Sequence, residues 1–81
     1  MKILGNPGPN RITVTFEDGA FKGRSVTMDA EPVVGGIVLF ASTFKSWDGQ
    51  QSILIDAQTK KQITELIREE LKKHPSSEIV D

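Results

Sequence analysis

Ser52-Ile53-Leu54-Ile55-Asp56, running into Ala57-Gln58-Thr59-Lys60-Lys61-Gln62-Ile63-Thr64-Glu65-Leu66-Ile67-Arg68-Glu69-Glu70-Leu71, is where the hydrophobic period of this chain changes. Before Asp56 the pattern is that of a strand, with Ile53 and Ile55 on one face. After it, Ile63, Leu66, Ile67 and Leu71 recur at helical spacing and predict a stripe that docks on a sheet. Asp56 sits at the junction as a helix cap, its carboxylate placed to accept first-turn N–H groups. The helix is expected over residues 57–73. Glu65, Arg68, Glu69, Lys72 and Lys73 mark its wet face, with attractive pairs Glu65–Arg68, Glu69–Lys72 and Glu69–Lys73. Lys72, Lys73 and His74 suit the negative end of the helix dipole, and Pro75 stops the helix.

Working back from that junction, three more strand patterns precede the short strand 52–55. Ile12, Val14 and Phe16 alternate with Arg11, Thr13, Thr15 and Glu17. Asp18-Gly19 and Gly23 bracket a hairpin connection carrying Phe21, and Val26, Met28 and Ala30 then alternate with Ser25, Thr27 and Asp29 until Pro32 ends the strand. Gly35-Gly36 opens the third strand, Ile37-Val38-Leu39-Phe40-Ala41, whose unbroken apolar run predicts a central position covered on both faces. The expectation is an α+β fold of order ββββα: a four-stranded antiparallel meander packed by one C-terminal helix. One helix, about 10–12 Å across with its side chains, covers one face of such a sheet. The other face carries Thr13, Thr15, Ser25 and Thr27, beside either Val38 with Phe40 or Ile37 with Leu39. A homodimer contact, a partner or the folded-back N-terminal segment would cover those apolar residues. Residues 1–10, broken by Gly5-Asn6-Pro7-Gly8-Pro9-Asn10, read as irregular or as a short edge pairing; 11–73 form a single domain; 74–81 are a frayed tail.

Composition narrows the functional classes. The chain has 81 residues, ten Lys and Arg against eleven Asp and Glu, and a net charge of −1, so no overall charge drives it toward nucleic acid or anionic lipid. It has no cysteine, which removes disulfides, thiolate metal sites and thiol nucleophiles. No apolar run approaches the ~20 residues of a membrane span, and Gly5 interrupts Met1-Lys2-Ile3-Leu4 too early for a secretory signal. A cytoplasmic protein without membrane attachment is the expectation.

Catalytic constellations are missing. His74 is the sole histidine and suits a helix terminus better than a zinc site. Asp29, Glu31, Asp48 and Asp56 have plainer roles as strand-end, turn and cap residues than as paired carboxylates. The first glycine-rich stretch has prolines that lack N–H donors, and Gly35-Gly36 runs into a strand, so neither forms a phosphate loop. The expectation is no enzyme activity, no metal and no cofactor.

Two features point to binding instead. The loop containing Phe44, Lys45, Trp47 and Asp48 is the candidate protein-binding site, with Trp47 either an exposed anchor or a plug over the core edge. The cations Arg11, Lys22, Arg24 and Lys45, interleaved with Phe16, Phe21, Phe44 and Trp47, are the candidate nucleic-acid set, against the plainer reading of a solvated strand surface.

Val34-Gly35-Gly36-Ile37-Val38-Leu39-Phe40, then Trp47-Asp48, then a strand and one C-terminal helix resemble the Imm74 type of bacterial immunity proteins over roughly residues 11–73. A proline associated with the segment after the tryptophan is missing here. The resemblance implies a small α+β protein that neutralises a toxin-like partner by protein–protein contact, without catalysis. The strand order, with Ile53-Leu54-Ile55, Gln58 and the helical stripe, is also similar in topology to the single-strand-binding fold of the transcriptional coactivator and Whirly type. That similarity implies single-stranded nucleic-acid binding by the sheet face of a dimer as the alternative.

Overall fold

A computed structural model describes residues 1–5, 10–74 and 76–80 of the chain. The expected breakers at residues 6–9, the helix stop Pro75 and the last tail residue, Asp81, lie outside them. Strand β2 (Arg11–Thr15) pairs antiparallel with β3 (Ser25–Val33), with Val14 opposite Val26 and Ile12 opposite Met28. β3 in turn pairs antiparallel with β4 (Gly36–Phe40), placing Ala30 opposite Leu39. The period-two pattern explains the result. Ile12, Val14, Phe16, Val26, Met28, Ala30 and Leu39 are all buried on one face. On the other face Thr13 bonds Thr27 and Thr15 bonds Ser25, each at 2.8 Å between hydroxyl oxygens.

The fourth antiparallel strand comes from the N-terminal segment. β1 (Lys2–Gly5) pairs with β2, so the first four strands form the antiparallel meander that the sequence predicts, with one helix packed on it. Residues 52–55, expected to supply a strand, do not. They make a single bridge, Ser46 to Leu54, and leave Ile53 and Leu54 exposed. The reason lies at the free edge of β4. That lane is filled by β5 (Glu78–Val80), which runs parallel to β4 with Ile79 opposite Leu39. The sheet order is therefore β1-β2-β3-β4-β5, and the segment expected to fray buries Ile79 in the core.

Two glycines make this edge. Val34 and Gly35 form the two-residue turn between β3 and β4, and Gly35 has φ of 79°, which side-chain-bearing residues adopt at a cost. At Gly36 the chain leading into β5 passes so close that a Cβ would lie 2.0 Å from the carbonyl oxygen of Ser76.

Helix α1 (Ala57–Leu71) starts where expected: Asp56 Oδ1 accepts from the Thr59 N–H at 2.7 Å. Its docking face differs from the predicted stripe. Ile63, Thr64, Ile67 and Leu71 are buried, whereas Leu66 is 44% exposed. Thr64 tolerates burial because its hydroxyl donates to the Lys60 carbonyl oxygen at 2.8 Å. The pairs Glu65–Arg68 and Glu69–Lys72 form on the wet side, while Lys73 faces Glu70 rather than Glu69. The continuously apolar β4 is central, between β3 and β5. Its Leu39 is buried on the helix side, and Val38 and Phe40 are half-buried on the open face beside Val80.

Candidate functional site

β4 ends at Phe40, and a 3-10 turn at Ala41–Thr43 carries the chain toward the loop 44–55. The turn continues beside β3. The Thr43 hydroxyl oxygen accepts from the Asp29 N–H at 2.8 Å, and the Asp48 N–H donates to the Ser25 carbonyl at 2.9 Å. The loop thus replaces β4 along the first half of β3. Its return arm is tied to its outgoing arm by the Ile55 N–H donating to the Lys45 carbonyl at 2.8 Å. Asp48-Gly49 turns the tip, with Gln50 N–H donating to the Trp47 carbonyl.

Two aromatics fix this loop from beneath. Phe44 is fully buried, and the Lys60 ammonium lies 4.9 Å from its ring centre while donating to the Phe44 carbonyl at 2.9 Å. Trp47 is only 6% exposed and is a plug, not an anchor. It packs edge-on to Phe16 at 6.3 Å and tilted on Phe21 at 5.3 Å, and Phe16 and Phe21 meet edge-on at 5.6 Å. Outside, the Arg24 guanidinium lies 5.4 Å from the Trp47 ring centre.

Of the four residues expected to meet a partner, Phe44 and Trp47 are therefore committed to the core. Lys45 is exposed, and so is Asp48, whose Oδ2 accepts from the Thr27 hydroxyl at 2.7 Å. The surface of the loop belongs to two other residues, Ile53 at 60% and Leu54 at 73% exposed. Together with Arg24, Gln50 and Thr59 they border a depression of about 430 Å³ over the edge of Trp47. The strand reading hid them, and the sequence held a signal for Leu54 alone. Ile53, Leu54 and Ile55 are consecutive, and a strand with one buried face leaves Leu54 outward but buries Ile53.

The cations Arg11, Lys22, Arg24 and Lys45 do not share a face. Arg11 is on the open face of β2, 3.7 Å from Asp29. Arg24, opposite Phe16 at the other end of the ladder, lies on the helix side, and Lys22 and Lys45 are on separate connections. The carboxylates considered for a pair are also dispersed: Asp29 faces Arg11, Asp48 holds Thr27 and Asp56 caps α1. The Thr59 backbone N–H bond holds the Asp56 carboxyl below its ordinary value, helped by the Thr59 side chain and the Gln58 N–H and opposed by partial desolvation. Among the described residues no three His, Cys, Asp or Glu side chains are grouped as metal ligands, and no helix is long and apolar enough to cross a membrane.

No family model matches the chain, and neither does any curated protein or solved structure compared with it.

Proposed function

We propose that this domain is a non-catalytic protein-binding module that neutralises a toxin-like partner, and that the rim of the 44–55 loop is its contact surface. The observation that carries the reading is a pair of adjacent exposed aliphatic residues, Ile53 and Leu54, on a loop pinned by two buried aromatics. Exposed aliphatic side chains on a pinned loop bind with little ordering cost, because the backbone is already fixed. Arg24 borders the same depression and supplies charge at the rim. The dispersal of the carboxylates supports recognition over catalysis. The similarity of residues 34–40 and 47–48 to immunity proteins supports the class of partner.

The test begins with the coding region next to this gene. If it encodes a toxin-like product, co-expression with this chain restores growth, and the Ile53→Asp, Leu54→Asp double variant restores none while remaining folded. The proposal fails if no toxin-like product is encoded there. It fails equally if the folded double variant protects as well as the unaltered protein.

A further inference from the structure

The helix position that the sheet leaves unused opens a second surface. Leu66 faces a groove of about 840 Å³ between α1 and the 3-10 turn at Gly19–Phe21. Its apolar lining is Leu66, Phe21, Phe16 and Met1. On the helix side the groove follows Gln58, Gln62, Leu66 and Glu69, one stripe of α1 at i+3 and i+4 spacing. From residue 58 to residue 69 that stripe is roughly 16 Å long at 1.5 Å per residue, room for about three turns of a partner helix.

The charge around the groove is net negative. Asp18, Glu65 and Glu69 border it, against the Lys61 ammonium and the α-ammonium of Met1, which Glu17 pairs with at 3.4 Å. Glu65 pairs with Arg68, and Glu69 with Lys72 at 3.0 Å, but both pairs are solvent-exposed and their cations lie outside the groove. Exposed i,i+3 pairs of this kind are weak, so the carboxylates remain available to an incoming cation.

We propose that this groove binds an amphipathic segment of a protein partner in which aliphatic side chains are flanked by lysine or arginine. The aliphatic residues would cover Leu66 and Phe21, and the cations would meet Asp18, Glu65 and Glu69. The proposal does not rest on the toxin reading or on the 44–55 loop, and its test needs no toxin.

The probe is a synthetic leucine–lysine peptide of about 12 residues, long enough to span the groove as a helix, with leucines at helical spacing and no aromatic residue. Its leucine–glutamate counterpart is the control. Trp47 is the only tryptophan and touches Phe21, so its emission reports on the groove, and backbone amide shifts locate the contact. The lysine peptide is expected to shift the amides of Ala20, Phe21 and Leu66 saturably. The glutamate peptide should bind at least about tenfold more weakly, because like charges would face each other. Leu66→Lys should abolish binding while leaving the urea midpoint near that of the unaltered protein, and Glu65→Gln with Glu69→Gln should weaken binding and reduce its salt dependence. Absence of saturable shifts at these amides overturns the proposal, as does equal binding of both peptides. A protein that is dimeric on its own and made monomeric by Leu66→Lys would assign the groove to a second copy and overturn it too.

Discussion

Trp47 and Leu54 are seven positions apart and have opposite roles, although both are large and apolar. Trp47 closes the core against Phe16 and Phe21, while Leu54 faces water. Trp47→Ala should therefore cost about 3–5 kcal/mol, as expected for removing a large buried aromatic, read from urea unfolding. Ile53→Asp and Leu54→Asp should each change stability by no more than about 0.5 kcal/mol, the range for surface positions. Asp56 gives a pH signature. Its carboxyl is held below the ordinary value by the Thr59 N–H, so the ionised form is the stabilising one. Its contribution is complete above the ordinary carboxylate range and is lost as pH falls through the lowered folded-state value. The gap in urea midpoint between the unaltered protein and Asp56→Ala should be full at neutral pH and close in acid. A gap independent of pH would mean that the carboxylate charge does not matter at this cap.

At the scale of elements, the strands with strict alternation were legible because every second side chain of β2 and β3 has the same destination. The helix was legible for the same reason, but not its roll. Leu66 and Thr64 straddle the boundary of the docking face, and composition favours the leucine, whereas geometry buries the threonine through its bond to the Lys60 carbonyl. Ile67→Ala should accordingly cost about 2–5 kcal/mol, and Leu66→Ala less than about 1 kcal/mol, because much of Leu66 is already in water. Residues 52–55 carry strand-like composition but make only the bridge from Leu54 to Ser46, because the lane beside β4 is taken. Glu78–Val80 is too short to carry a pattern, yet takes the lane beside β4. Gly36 is the residue that permits it. Gly36→Ala should cost about 1–3 kcal/mol, as forced crowding does, and should remove hydrogen-exchange protection first from the Ile79 amide. Protection unchanged at Ile79 would show that the Ser76 carbonyl moves aside without releasing β5.

For the molecule as a whole, one core serves every element. Residues from β2, β3, β4, β5, α1 and the 44–55 loop belong to a single buried cluster, with Ile3 of β1 packed against it. The radius of gyration, 11.8 Å, is that of a compact chain of this length, for which the size scaling gives about 11.7 Å. In a domain this small the net stability is only about 5–15 kcal/mol, so no element can be lost without cost to the rest. The sharpest case is the segment that sequence alone reads as a frayed tail. Ile79 is 4% exposed, lies opposite Leu39 and belongs to the same cluster as Ile63 and Ile67. If β5 belongs to the cooperative unit, Ile79→Ala should lower global stability by about 2–5 kcal/mol, as at other buried aliphatic sites. The urea m-value should stay the same, since the surface exposed on unfolding has not changed. Exchange at the β4 amides should then accelerate in step with those of β2 and β3, through global unfolding. A loss under about 0.5 kcal/mol, in the range of surface substitutions, would instead detach β5 from the fold. The free edge of β4 would then be open to another strand.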